Sequence, residues 1–158
     1  MRHLLLLFFS GFLATAQAQF AGGLMTFVPT EGEEKPYSVS FRLEVLTCEA
    51  DLPPPCSLSV QVIKRDRGGY LLLETVMATH QDSSSCQGQS IGQGLRQHLY
   101  QTENIALPGP GSYEVVCRLG AYCQEAANLY LLPRPINGEM ILRTSFELFP
   151  PLFGFGKR

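Results

Sequence analysis

Apolar and polar side chains alternate along most of this chain, and no stretch repeats its apolar residues at helical spacing. Tyr37, Val39, Phe41, Leu43 and Val45 take every second position, with Ser38, Ser40, Arg42 and Glu44 between them. A period of two sends successive side chains to opposite faces of an extended strand, so the odd-numbered set is predicted to face a core. Leu58, Val60 and Val62 repeat the pattern. The turn from Lys64 to Gly69 then leads into a strand-like run from Tyr70 to Val76. An earlier run, Leu24 to Val28, ends at Pro29.

The polar stretch from His80 to Gln93, rich in Ser, Gln and Gly, is predicted to be a long loop carrying Cys86. Leu95 to Leu107 fits either a strand or a short helix, with Leu99, Ile105 and Leu107 favouring alternation. The turn Leu107-Pro108-Gly109-Pro110-Gly111-Ser112 introduces a strand from Tyr113 to Leu119. A Tyr at such a strand start can tie it to the preceding corner through its hydroxyl. Asn128 to Leu132, and Met140 to Leu148 after the Asn137-Gly138 turn, give the last strands. About seven short strands at near-regular spacing indicate an all-β fold, a single antiparallel β-sandwich.

The N-terminus reads as an export leader. Arg2 precedes an apolar run from Leu4 to Leu13, and Ala16-Gln17-Ala18 supplies small residues for cleavage. The run is about half the length that a helix needs to cross hydrocarbon, so residues 1–18 are expected to be removed rather than to anchor the chain. Residues 19–148 then form the β-sandwich domain, and residues 149–158 an apolar Pro/Gly-rich tail. Phe149, Phe153 and Phe155 in that tail either fold back as an edge segment or present an apolar patch to a partner.

An exported chain meets an oxidising compartment, where thiols become bridges rather than metal ligands. Spacing pairs Cys48 with Cys56 and Cys117 with Cys123, each closing a short turn, so the sandwich is expected to be disulfide-stapled. Cys86 is left for a cap or for an intermolecular bond that would make a disulfide-linked homodimer. The rival pairing joins Cys86 to Cys117 or Cys123 and ties the long loop to the sandwich.

Gly22-Gly23-Leu24-Met25-Thr26-Phe27-Val28-Pro29, then Val39-Ser40-Phe41-Arg42 with Cys48, then Cys86-Gln87, then the Cys117 and Cys123 region follow one another along the chain. Together they resemble the amino-terminal β-rich module of uncharacterised secreted animal proteins with adhesion-type domains. The likeness spans residues 22–123 and implies an extracellular recognition or matrix module with no catalytic residues to carry over.

With 158 residues, 45% apolar and 16% charged, the chain suits one globular domain and is neither coiled coil, collagen nor disordered acidic linker. A formal charge of −2 gives no footprint for nucleic acid, and no second apolar stretch is long enough to span a membrane as a helix. No metal, cofactor or phosphate-loop motif occurs. His80, Asp82 and Ser83 to Ser85 contain the groups of a nucleophilic triad but crowd one polar loop, so catalysis is not expected, and a small secreted hydrolase ranks third. The terminal Gly156-Lys157-Arg158 matches the processing context of amidated peptides and supports the second reading, a peptide precursor. The first reading is a secreted module that binds an unidentified extracellular protein.

Overall fold

Alternation becomes strands wherever the computed structural model describes the chain, at residues 20–30, 37–48, 54–82, 85–121 and 139–150. In chain order they are β1 (Phe20–Thr30), β2 (Ser38–Cys48), β3 (Ser57–Asp66), β4 (Gly69–His80), β5 (Gln89–Gly92), β6 (Leu95–Thr102), β7 (Ile105–Ala106), β8 (Gly111–Ala121) and β9 (Glu139–Leu148). No helix occurs among the described residues. The leader, the expected strand Asn128 to Leu132, and Phe153 and Phe155 lie outside them.

All neighbouring pairs are antiparallel. The expected sandwich would divide the strands between two sheets. They lie instead in one sheet, in the order β1-β2-β6-β4-β3-β8-β9, with β5 added to β6 and β7 to β2. The sheet curls until its outer strands meet, giving a nearly closed barrel. Phe27 of β1 stacks on Phe146 of β9 with ring centroids 4.5 Å apart. Gly23 makes room for this seam: a Cβ there would lie 2.8 Å from the Glu44 carbonyl oxygen and 3.0 Å from the Leu142 methyls. A curled sheet buries one face against itself, so the alternation it needs is the same as for a sandwich.

Val39, Phe41, Leu43 and Val45 are buried as the period requires, and they join Val60, Val62, Tyr100, Tyr113, Val115 and Cys117 in one core. Ser40, an even-numbered position, is buried too. The ambiguous stretch after Leu95 is strand, because β6 and β7 both pair with β2. Tyr113 ties its strand to the corner before it, donating its hydroxyl to the Gly109 carbonyl at 2.6 Å.

The sequence reading of His80–Gln93 as a single loop needs correction. His80 closes β4, and Gln89–Gly92 adds to the edge of β6 in register with Gln97 to Leu95. Gln-Ser-Ile-Gly, four residues with one apolar side chain, is too short to show an alternation, and backbone hydrogen bonding to β6 supplies what the side chains do not.

Candidate interaction surface

β3 and β4 form a long hairpin whose turn follows from Asp66-Arg67-Gly68-Gly69, with Asp66 opposite Gly69. β8 covers the far side of β3 from Val60 to Arg65. β4 is treated differently. It pairs with β6 only through Ala78, Thr79 and His80, opposite Thr102, Gln101 and Tyr100. Past Thr102 the chain follows β2 through β7 and leaves β4 behind. Among the described residues nothing pairs with the open edge of β4 from Gly69 to Met77.

That edge is apolar. Tyr70, Leu71, Leu72 and Met77 are 71%, 59%, 53% and 51% exposed, whereas Leu73 and Val76 pack partly against the core. Natural sheets protect long exposed edges with charge, proline or a covering segment, and this one has a single charged residue, Glu74, and no proline. The surface is also held stiffly. Arg65 lies over the Tyr70 ring, 5.5 Å from its centroid, and its Nε and Nη2 donate to Glu114 Oε2 at 3.0 and 2.7 Å. Arg143 of β9 holds the other carboxylate oxygen at 2.8 Å. One buried carboxylate thereby fastens β3, β8 and β9 together behind the hairpin.

At its other end β4 enters a buried polar chain. His80 Nε2 lies 3.2 Å from His98 Nδ1, and His98 Nε2 lies 2.9 Å from Thr47 Oγ1. His80 Nδ1 lies 3.0 Å from both the backbone N and the carbonyl oxygen of Asp82, so the ring protons run along the chain in the direction the tautomer sets, and with both rings neutral every link is satisfied in either direction.

Burial first, then the fields of His80 and Arg96, lowers His98 from 6.5 to about 4. Tyr100 packs edge-on against His80 with centroids 5.0 Å apart and donates its hydroxyl to the Pro55 carbonyl. Gly88, in a left-handed conformation at φ 66°, presses on the His98 ring, where a Cβ would come within 2.5 Å. The chain thus locks β2, β4 and β6 to one another.

The cysteines depart from the expected pairing. Cys56 is bridged to Cys86, with Cα atoms 5.3 Å apart, so Cys86 is not the leftover thiol of a disulfide-linked dimer. Cys48 is disulfide-bonded, but not to Cys56. Cys117 is a free thiol, fully buried on the core face of β8 between Val60 of β3 and Leu142 of β9; burial pushes it up to about 11. Its expected partner, Cys123, lies outside the described residues, as do Ser83 and Ser84. Of the described triad groups, Ser85 Oγ donates to Asp82 Oδ2 at 2.6 Å, and His80 Nδ1 lies 3.0 Å from the backbone N and O of Asp82.

Of the three candidate phenylalanines, Phe149 is 74% exposed just beyond β9. The open edge of β4 was not singled out from sequence. Its trace there is the run Tyr70-Leu71-Leu72-Leu73, which breaks alternation where one face should be polar. Comparison with protein-family models, with curated proteins and with solved structures finds no match.

Proposed function

We propose that this chain is a secreted, disulfide-bridged β module that works by binding protein, without catalysis, and that β4 is where it binds. One observation carries the reading: an unpaired strand edge from Gly69 to Met77 that exposes Tyr70, Leu71, Leu72 and Met77 on a stiff hairpin. An edge of that kind offers backbone donors and acceptors to an added strand and apolar side chains for specificity. Export through the leader at residues 1–18 agrees with the Cys56–Cys86 bridge, since such bonds persist outside the cytosol.

A photo-reactive residue at Leu72 in the secreted protein tests the reading in the extracellular fraction. A covalent adduct with protein is expected, whether another protein or a second copy of the chain, and its absence would overturn the proposal. Recovery of an amidated peptide ending before Gly156 as the main product would favour the precursor reading instead.

A further inference from the structure

We infer that the occupant of the β4 edge is the same edge of a second copy, paired antiparallel about a two-fold axis between Leu73 and Glu74. This rests on the protein-binding reading of β4 and names its partner.

The register follows from where the backbone groups point. Along a strand, the N–H and C=O groups of alternate residues face opposite sides. His80 N–H donates to Cys56 O, on the β3 side, and Gln81 N–H donates to Leu99 O, on the β6 side. By alternation Met77 and Thr75 therefore point to the open edge, and Val76 and Ala78 point to β3.

The alternation then resets. Val62 pairs with Glu74 and Ile63 with Leu72, which leaves Leu73 as an extra residue, a bulge. Leu72 and Tyr70 consequently point to the open edge as well. The edge-facing residues, Tyr70, Leu72, Thr75 and Met77, are symmetric about the Leu73–Glu74 bond. Turned upon itself, the edge sets Tyr70 opposite Met77, Leu72 opposite Thr75 and Leu71 opposite Val76. All four strongly exposed apolar residues of β4 are covered in this pairing.

The ends agree with it. The paired window stops at Met77, where β6 takes over at Ala78. Arg67 at the hairpin tip is exposed, and so is Glu103 where β6 ends; the two-fold carries the tip of each copy toward the Glu103 of the other. Glu74 is the unfavourable element, because the two copies bring their Glu74 carboxylates close to the axis. A second copy is also a partner that no longer needs a covalent link through Cys86.

Sedimentation of the purified, disulfide-intact mature chain over a wide concentration range tests the inference. A reversible dimer is expected, and Leu72→Lys should weaken it at least about tenfold while leaving the melting temperature of the dilute monomer unchanged, because Leu72 is exposed in the single copy. Glu74→Gln should tighten it about threefold by removing like charge at the axis. Arg67→Glu and Glu103→Arg should each weaken self-association, and a mixture of the two should recover it, since both tip contacts then join opposite charges.

A protein that stays monomeric at every concentration, or Leu72→Lys dimers as tight as the parent, overturns the second-copy inference. If the monomer still yields photo-adducts from Leu72 with another protein, the binding reading of β4 stands without it. If no adduct forms at all, both fail.

Discussion

Acid should weaken this fold through His98 by an amount that can be worked out. The folded protein keeps His98 neutral down to about pH 4, against an ordinary value of 6.5, chiefly because the ring is buried and also because of His80 and Arg96. The unfolded chain takes up that proton near pH 6.5 and the folded chain resists until about pH 4. The contribution is therefore intact above pH 6.5, shrinks as the pH falls between those values, and is gone below about pH 4. At about 1.4 kcal/mol for each tenfold change in proton affinity, this amounts to roughly 3 kcal/mol.

Urea unfolding near neutrality and near pH 4 measures it, with His98→Gln as the comparison. The variant should be less stable than the parent near neutrality, having lost the bonds to Thr47 and His80, yet its stability should fall by about 3 kcal/mol less on acidification. Titrating groups away from the His80–His98 chain are common to both proteins and cancel. Parallel losses in parent and variant would refute the buried-chain argument.

Phe41→Ala removes a fully buried ring that packs near Phe146, and should cost about 3 to 5 kcal/mol in thermal or urea unfolding, whereas Ser40→Ala should cost under about 1. Gly88→Ala drives a methyl into the His98 ring at a positive φ and should destabilise by about 2 kcal/mol or more. Non-reducing peptide mapping should recover Cys56 joined to Cys86, with Cys117 alkylated only after unfolding. Replacing both bridged residues by Ser should cost about 3 kcal/mol, from a bridge that spans 30 residues.

The strand faces were legible because a period of two is a local property: Tyr37 to Val45 and Tyr113 to Cys117 show theirs without reference to the rest of the chain. The bridge is harder to see, because closeness in sequence is not closeness in space and its two cysteines lie 30 residues apart. Its trace lies in the hairpin register. A turn at Arg67-Gly68 sets Ser57 opposite Thr79, so Cys56 comes beside His80, and the chain returns to it six residues later at Cys86.

The histidine chain depends on three strands that meet only in the folded sheet, and nothing in the spacing of Thr47, His80 and His98 announces it. The open edge has a similar cause. Tyr70 to Val76 read correctly as a strand, but whether both its edges are paired is decided by β6 and β7 following β2. Sandwich and barrel bury one face of each strand alike, so alternation could not separate them.

Amide hydrogen exchange along β4 tests the open edge most directly. In dilute protein, the amides of Tyr70, Leu72, Thr75 and Met77 should exchange quickly while those of Leu71, Val76 and Ala78, which face β3, are protected. At concentrations where the partner edge is occupied, the first set should slow and the second should change little. Uniform protection along Gly69 to Met77 in the dilute state, or no slowing of the first set on association, would contradict the account.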